Sequence, residues 1–454
     1  MRSLAGVVAL CLAVAVGCGG DDSPSTRGDY SFPPAPEAPG GLLDTEVAGA
    51  IDTLLPQARV GVFDRALFAP IAESGDARLA WLVSDLLRFY QSSRLEEATL
   101  VDAFDKLTGI DPRDDPQFES GSWRTITDHL IAWDTPAPPG YRERKGVLHL
   151  GLEPKWAPFF ADADSDIDWR RVAWGGVLID DRELGDPEIC FRGCIPALDD
   201  PSLTPAQGGD WYPDDRIVFG VTLNGESVAF PKNIMEVHEM VNITIGGRRL
   251  GIPYCTLCAS AQAYLTDATG SGQPLVLRTT GLLQRSNKLM YDLRSKSAID
   301  TFTGRALSGP LQDVGVVLPQ VTVVASTWGE WKAAHPETRI VARDGGIGRT
   351  YEDDPLGGRD DAGPIFPIGD VDSRLPEQTK IVGVVLPDGT PVAFAAIEAR
   401  EALAAGKRVE LAGVELSEDG GGLRARGADG AELPAHEAFW FAWSQFHPGT
   451  ELWR

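Results

Sequence analysis

The chain is poor in basic side chains relative to acidic ones, with 41 Lys and Arg residues against 66 Asp and Glu residues. Proteins that bind nucleic acid neutralise its phosphates with clustered cations, and the sequence has no basic patch of that kind. An acidic surface also repels anionic lipid headgroups and keeps the protein soluble. We therefore expect no nucleic-acid partner.

The sequence also lacks an apolar run long enough to cross a bilayer. Thirteen apolar residues, Leu4 to Val16, follow a single basic residue, whereas a span takes roughly 20 residues. This layout is that of a secretory signal. The segment Ala15-Val16-Gly17-Cys18 resembles the lipobox of bacterial lipoproteins, in which the cysteine carries lipid, although Ala15 stands where leucine is usual. An ordinary signal peptide cleaved near Gly20 is the alternative.

Residues 19–40 are rich in Gly, Asp, Ser, Pro and Ala and cannot bury apolar surface, which is typical of a flexible tether. We therefore predict a lipoprotein signal peptide at residues 1–18 and a tether at residues 19–43. The mature protein is expected outside the cytoplasm, on the periplasmic or outer side of the bacterial cell envelope. Its predicted membrane contact is the N-terminal lipid on Cys18.

Cysteine is scarce, with six residues in the chain. Four unmodified cysteines are expected in the mature protein, because Cys11 would be removed with the signal peptide and Cys18 would carry lipid. The remaining four form two close pairs, Cys190 with Cys194 and Cys255 with Cys258. In an oxidising compartment, a close pair can be a disulfide, a redox dithiol or part of a metal site. For the first pair we predict a local disulfide.

Apolar residues recur at helical intervals between residues 44 and 134, for example over residues 77–89 and 95–107. This pattern predicts a small helical domain at residues 44–135 with about four packed helices. Asp76 and Ser122 precede two of them and suit helix capping. The expected role of this domain is packing, or docking of a protein partner.

A Pro-Ala-Pro-Pro-Gly segment at residues 136–140 breaks the helical pattern. Short runs of branched and aromatic residues follow and predict strands at 147–150, 172–179 and 217–223. Asn224-Gly225 predicts a hairpin turn, since both central positions of a type I′ turn need positive φ. The predicted fold class is α+β, with a β-rich mixed core domain at residues 141–454 preceded by the small all-helical domain.

A short helix is predicted over residues 231–242 and carries His238 and Glu239 on its way to the second cysteine pair. The pattern His-Glu-x-x-Asn is not the His-Glu-x-x-His of zinc proteases, because an amide is a poor zinc ligand. The strand predicted at residues 249–254 delivers Cys255 to the start of residues 259–264, near a turn or a helix N-terminus. Backbone N–H groups at such a helix start stabilise a thiolate.

Three interpretations of Cys255 and Cys258 stay open. The two thiolates and His238 could bind a soft metal ion, copper or zinc, with His447 as a further ligand if the C-terminal segment folds back. Glu239 would then orient the imidazole or act as an acid–base group. The pair could instead catalyse thiol–disulfide exchange, although no thioredoxin-like βαβ context is visible.

The third interpretation is a plain structural disulfide between Cys255 and Cys258, which closes a small ring and gains little stability. The protein would then be a binding or scaffold lipoprotein whose helical domain docks a partner. None of the three interpretations identifies a substrate.

The stretch from Ile195 to Val341 resembles the family called domain of unknown function 3179. The resemblance rests on the order and spacing of short stretches, namely residues 195–201, 230–231, 238–242, 254–258, 281–283, 290–292, 304–311, 328–331 and 335–336. Residues 439–448 resemble the closing motif of that family. Counted from Ile195 up to that closing motif, the match covers more than half of the mature chain.

The resemblance implies an exported or membrane-associated protein without an established activity. Thr256 stands where the family usually has proline, and Ile299 and Thr301 replace a usual Trp and Gln. A proline-tuned redox potential is therefore not expected. The two thiols, His238 and Glu239 are retained.

Overall fold

The computed structural model describes residues 30–90, 93–187, 189–270, 272–360 and 363–454. The predicted signal peptide, Cys18 and the first part of the tether lie outside the described residues. Within the described ranges, no helix is both long enough and apolar enough to cross a membrane.

The N-terminal part is helical, as predicted. Its first five helices are α1 (Thr45–Ala58), α2 (Arg65–Ala72), α3 (Ala80–Tyr90), α4 (Arg94–Thr108) and α5 (Ser122–Ala132). Asp76 accepts a hydrogen bond from the backbone N–H of Arg78 and so caps the turn before α3, as expected. Ser122 is not a cap, because it is the first residue of α5 and its hydroxyl donates to Glu97 Oε1.

Two further helices, α6 (Tyr141–Leu152) and α7 (Ala157–Ala161), carry the helical part past residue 135. The strand predicted at residues 147–150 is therefore wrong. Lys145, Leu148 and His149 are among the buried residues of α6, and their spacing follows one face of a helix. A short apolar run does not by itself distinguish a buried helix from a strand.

The remainder is β-rich and confirms the predicted α+β class. Its strands up to the Cys255 region are β1 (Val172–Trp174), β2 (Leu198–Asp199), β3 (Leu203–Pro205), β4 (Ile217–Leu223), β5 (Glu226–Pro231), β6 (Met240–Ile245), β7 (Arg248–Cys255), β8 (Ser260–Ala261) and β9 (Ala263–Leu265). The strands that follow are β10 (Leu277–Gln284), β11 (Asn287–Asp292), β12 (Ala298–Asp300), β13 (Gln320–Val321), β14 (Val324–Thr327) and β15 (Arg339–Val341).

The C-terminal strands are β16 (Lys380–Val385), β17 (Pro391–Ala395), β18 (Val409–Leu411), β19 (Val414–Asp419), β20 (Gly422–Gly427), β21 (Glu432–Leu433), β22 (Ala435–Phe439) and β23 (Glu451–Trp453). The helices between the strands are α8 (Lys232–His238), α9 (Gly309–Asp313), α10 (Trp328–Ala334), α11 (Ala396–Ala404) and α12 (Trp440–Phe446). The strand at residues 217–223 and the turn at Asn224-Gly225 are confirmed, and both turn residues have positive φ. The strand expected over residues 172–179 ends at Trp174.

The strands of the described residues form five sheets. Their orders are β1-β10-β11-β12, β13-β9-β7-β6-β2 with β8 added to β7, β14-β4-β5-β15-β3, β22-β16-β17-β23 and β18-β19-β20-β21. The third and fourth share one arrangement. Each has a central hairpin, an antiparallel strand on one side and a parallel strand on the other.

The helical part shares its core with the first sheet. Apolar side chains of α1 to α7 pack in one cluster with side chains of β1, β10, β11 and β12. The cluster includes Trp156, whose indole Nε1 donates to Thr280 O at 2.7 Å. The helices therefore form a structural layer of the β-rich part.

Candidate functional site

The cysteine motif lies in a hairpin turn. Strand β7 ends at Cys255, residues 256–258 form one 3-10 turn, and β8 returns antiparallel so that Cys255 pairs with Ser260. Ala259 has a φ of 47°, which a residue other than glycine rarely adopts. Of the two predicted surroundings of Cys255, a turn or a helix N-terminus, the structure therefore has the turn, because strand pairing directs the chain back along β7.

Glu239 lies beside this turn because α8 is shorter than predicted. The helix ends at His238, and Glu239 has a φ of 51° and donates its backbone N–H to Met235 O at 2.7 Å. The chain then enters β6, which pairs with β7, and Tyr254 N–H donates to Glu239 O at 3.0 Å. Asn242 is thus a strand residue and shares no helix face with His238.

Lys288 on β11 joins Glu239 at the site. Its Nζ lies 2.6 Å from Glu239 Oε2 and donates to Glu239 O at 2.9 Å. Thr256 Oγ1 donates to Glu239 Oε1 at 3.2 Å. Because the side chains of Lys288 and Glu239 are only 6 % and 14 % exposed, this ion pair is largely shielded from water. It connects the end of α8, the cysteine turn and β11.

Cys255 and Cys258 are both buried and both free thiols. Burial raises the pKa of the Cys255 thiol, but hydrogen bonds from the thiol and backbone of Cys258 and the Lys288 ammonium outweigh it, so that the net shift is downward. The pKa of Cys258 is raised well above its ordinary value, first by burial and then by its hydrogen bond to Cys255 and by the charge of that thiolate. The two sulfur atoms therefore differ in chemistry, with the thiolate favoured at Cys255.

A cavity of about 100 Å³ lies against the first cysteine. Its wall includes Cys255, Thr256, Glu239, Ser286 and Lys288, together with apolar side chains. Cys258 does not line it and instead places its Sγ 3.2 Å from Ser286 O. Cys255 is therefore the sulfur that a small group in the cavity would meet, with Cys258 behind it.

His238 is turned away from the thiols. Its Nδ1 donates to Pro196 O and its Nε2 accepts from Tyr351 Oη, both at 2.7 Å. Burial lowers its pKa to about 4, so the ring is neutral at pH 7. His238 is the last residue of α8 and Glu239 follows it with a φ of 51°, and of the two it is Glu239 that contacts the cysteine turn, through Thr256.

The C-terminal segment does fold back beside the motif. Cys255 and Cys258 pack with Phe302 and with aromatic residues of β22 and α12, and Ser286 Oγ donates to Gln445 Oε1 at 3.4 Å. His447, which follows α12, lies against the Trp443 ring with centroids 4.1 Å apart. Burial lowers the pKa of His447 to about 4.

The structure does not assemble the predicted metal ligands. Within the part of the chain that it describes, no three His, Cys, Asp or Glu side chains could hold a metal ion together. His238, Cys255, Cys258 and His447 therefore do not form one ligand set, since both ring nitrogens of His238 are already engaged. The residues present do not fit a copper or zinc ion held by two thiolates and imidazole.

Cys190 and Cys194 form the predicted disulfide, with Cα atoms 5.5 Å apart. Arg192, between them, places Nη2 2.9 Å from Glu153 Oε2 of the helical part. Leu178 bridges to Cys194, and their neighbours Val177 and Ile195 line the cavity of Cys255. The disulfide thus fixes a loop that covers one side of the site.

Sequence reasoning missed Lys288 and Ser286. The signal for Lys288 is a lone cation in the strand Asn-Lys-Leu-Met-Tyr-Asp, where every residue is buried. A buried lysine is rare unless it is paired, so Lys288 required a buried carboxylate such as Glu239 as its partner.

Comparison with known proteins gives a family and no function. No curated protein matches the chain, and no solved structure matches it. The family described as Protein of unknown function (DUF3179) matches residues 192–418, half of the chain. This stretch contains Cys194, Cys255 and Cys258 as well as Glu239 and Lys288, and Cys190 lies just before it. The chain is a member of the DUF3179 family.

Proposed function

We propose that Cys255 and Cys258 carry out thiol–disulfide exchange. The observation that carries the proposal is the unequal pair: one thiol faces a cavity beside a buried ammonium, and the other is held behind it. A nucleophilic thiolate backed by a second thiol is the arrangement that dithiol oxidoreductases require. The absence of a third metal-ligating side chain among the described residues favours this proposal over copper or zinc binding.

The reaction would proceed in two exchanges. The Cys255 thiolate attacks one sulfur of a substrate disulfide, the substrate S–S bond breaks, and the leaving thiolate takes a proton from water. Cys258 then loses its proton and attacks Cys255, which releases the second substrate thiol and leaves a Cys255–Cys258 disulfide. The substrate gains two electrons and the protein loses two, and an external dithiol returns it to the reduced state.

The neighbours of the thiols have separate roles in this scheme. Lys288 stabilises the thiolate of Cys255 by charge, and Glu239 holds the ammonium in place. Glu239 is also the carboxylate that lines the cavity beside Cys255, and in the second step the proton of Cys258 passes to the departing substrate thiolate. Thr256 Oγ1 fixes the carboxylate through its hydrogen bond.

An insulin-type disulfide reduction assay with an external dithiol tests the proposal. The parent protein should accelerate reduction, and Cys255→Ser should abolish the acceleration. Cys258→Ser should retain Cys255 and accumulate a mixed disulfide with substrate, visible on a non-reducing gel. Equal rates for all three proteins would overturn the proposal and leave the binding or scaffold interpretation.

Metal analysis of the same protein, purified without a histidine tag, separates the competing chemistry. We expect less than stoichiometric copper and zinc in the parent protein. A metal bound at one equivalent and lost in the Cys255→Ser/Cys258→Ser variant would overturn thiol exchange in favour of a metal centre.

We also propose that the protein acts outside the cytoplasm as a lipid-anchored protein of the cell envelope. The signal-like segment ending at Cys18 supports this proposal, and so does the Cys190–Cys194 disulfide, because disulfides persist in oxidising compartments. Cys18→Ala should release the protein from membranes into the soluble fraction. Unchanged fractionation would contradict lipid attachment at that residue.

A further inference from the structure

The β-rich part contains the same structural unit twice. The pattern Trp-x-x-Trp-x-x-x-His-Pro-x-Thr occurs at residues 328–338 on α10 and again at residues 440–450 on α12. Trp331 Nε1 donates to Thr338 Oγ1 at 3.0 Å, and Trp443 Nε1 donates to Thr450 Oγ1 at 2.9 Å. Two copies of one sequence pattern thus make the same hydrogen bond.

Ring packing and glycine placement repeat as well. The His335 ring lies 4.0 Å from the Trp331 ring, and the equivalent His447 to Trp443 distance is 4.1 Å. Each second tryptophan fills the space over a glycine of the central hairpin, Gly220 under Trp331 and Gly383 under Trp443. With the shared sheet order, these contacts identify a duplicated unit.

The cysteine turn has a counterpart in the second unit. Cys255 pairs with Ser260 across four turn residues, and Asp419 pairs with Gly422 across the two-residue Gly-Gly turn. Strand β8 packs on β22, and β20 packs on β14. Each unit therefore inserts its turn against the strand that leads into the tryptophan helix of the other unit.

A cavity of about 380 Å³ lies between the two units. Equivalent positions from both units line it in pairs: Ile217 with Lys380, Ala325 with Glu437, Thr327 with Phe439, and Ala259 with Gly421. Matching positions of the two units therefore contribute to its wall. Its volume is within the range of small-molecule sites, roughly 300 to 1,000 Å³.

The cavity carries charges of both signs in equal number. Three cations line it, Lys232, Lys380 and Arg400, with three carboxylates, Glu330, Asp360 and Glu437. Lys232 Nζ lies 2.7 Å from Asp360 Oδ2, and Arg400 pairs with Glu437. Glu330 Oε2 accepts a hydrogen bond from Thr327 Oγ1 at 2.6 Å, and within the described ranges neither Glu330 nor Lys380 is in an ion pair. One carboxylate and one ammonium are therefore available to a ligand.

The remaining wall is apolar and aromatic. Ile217, Phe219, Tyr254 and Phe439 contribute it. An ion of a single charge would meet as much repulsion as attraction here, whereas a molecule with both charges would meet complementary groups. An apolar side chain on that molecule would pack on the aromatic wall.

We infer that this cavity binds a small zwitterion with an apolar side chain, namely an α-amino acid or a short peptide. Its ammonium contacts Glu330, its carboxylate contacts Lys380, and its side chain lies against Phe219 and Phe439. This binding site is independent of the thiol chemistry, although Tyr254 and Ala259 border both the cavity and the cysteine motif.

Isothermal titration of the full chain with L-phenylalanine and with glycyl-L-phenylalanine tests the inference. At least one of them should bind, and 2-phenylethylamine and 3-phenylpropionate, which each lack one charge, should bind at least about tenfold more weakly. No binding of either zwitterion up to about 10 mM would overturn the inference. Equal binding of a singly charged analogue would overturn it as well.

Two variants with matched controls locate the site. Lys380→Met and Glu330→Gln should each weaken zwitterion binding by about tenfold, which corresponds to the loss of one charged contact. Lys407→Met and Glu401→Gln change exposed residues outside the cavity and should leave affinity within about twofold. Equal effects of site and control variants would contradict the assignment.

The same titration on Cys255→Ser/Cys258→Ser separates this inference from the proposed function. The variant should bind the zwitterion like the parent protein and lack disulfide reductase activity. Binding without reductase activity in the parent protein would defeat thiol exchange alone, and reductase activity without binding would defeat the zwitterion site alone.

Discussion

Glu239 Oε2 and Lys288 Nζ lie 2.6 Å apart and close one side of the cavity that Cys255 faces. The pair is nearly buried, so its charges act on the thiol with little screening by water. The ammonium lowers the pKa of Cys255, whereas the carboxylate raises it and so acts in the same direction as burial, which is the largest single effect. The reactivity of Cys255 therefore depends on which partner is present.

Opposite substitutions in this pair should move that reactivity in opposite directions. Lys288→Met should slow iodoacetamide labelling of Cys255 at pH 7 by about fivefold, the effect of about 1 kcal/mol of lost attraction. Glu239→Gln should speed labelling. Labelling is followed by peptide mass spectrometry over a pH series in a Cys258→Ser background. Coincident profiles for the three proteins would show that the ion pair does not tune the thiol.

Alanine at either glycine beneath the repeated tryptophans should destabilise the fold. A Cβ at Gly220 would overlap the Trp331 ring, and one at Gly383 would overlap the Trp443 ring. We expect each substitution to lower the free energy of unfolding by about 1–3 kcal/mol, as overpacked cores do. Gly49→Ala is the control, because its Cβ meets nothing within 4 Å and alanine favours α1. Urea unfolding that ranks Gly49→Ala with the other two would refute this packing argument.

A buried ion pair holds α3 to α6. Lys145 Nζ lies 2.6 Å from Asp85 Oδ1, and Tyr141 Oη donates to Asp85 Oδ2 at 2.8 Å. Lys145→Met should cost about 3–5 kcal/mol at pH 7, because it leaves a buried carboxylate unpaired. Lys145→Met/Asp85→Leu should recover part of that loss. Lys106→Met breaks an exposed pair with Glu73 and should cost less than about 1 kcal/mol.

Buried histidines should make the fold sensitive to mild acid. Burial lowers the pKa of His149 and His436 to about 3 and that of His238 to about 4. In the unfolded chain these imidazoles bind protons near pH 6.5, whereas in the folded chain they stay neutral. The free energy of unfolding is therefore unaffected by them above about pH 6.5 and falls as the pH drops towards 4. At pH 5.5 each ring should cost roughly 1 kcal/mol. Urea unfolding of His436→Gln should show a shallower decline than the parent protein, and parallel curves would contradict this origin.

Local patterns in the sequence predicted the fold where tertiary contacts were not needed to choose between alternatives. The helices between residues 45 and 132, the strand at residues 217–223 and the Asn224-Gly225 turn all have periodicity or turn chemistry of their own. The strand expected at 147–150 failed because only packing reveals that Lys145 and His149 share a buried helix face. The sequence left a turn and a helix N-terminus open for the start of residues 259–264, and the turn forms because β7 pairs with β8.

The site was predicted in part for the same reason. Spacing located Cys255 and Cys258. Glu239 was predicted to orient the His238 imidazole or to act as an acid–base group, whereas in the structure it pairs with Lys288. Lys288 reaches the thiols from a strand that lies 30 residues further along the chain, and no local pattern reports such a contact. The repeated tryptophan pattern was readable, since Trp328 and Trp440 each begin the same nine-residue Trp-to-Pro motif.

Because the unit is duplicated, the cysteine turn can be compared with the equivalent turn of the other copy. One copy closes its hairpin with Gly420-Gly421 and has no thiol, and the other closes the equivalent hairpin with Thr256 to Ala259. Because glycines are sufficient to close that hairpin, the longer turn is not required by the architecture. The turn that carries the thiols can therefore change in length and sequence without loss of the duplicated fold.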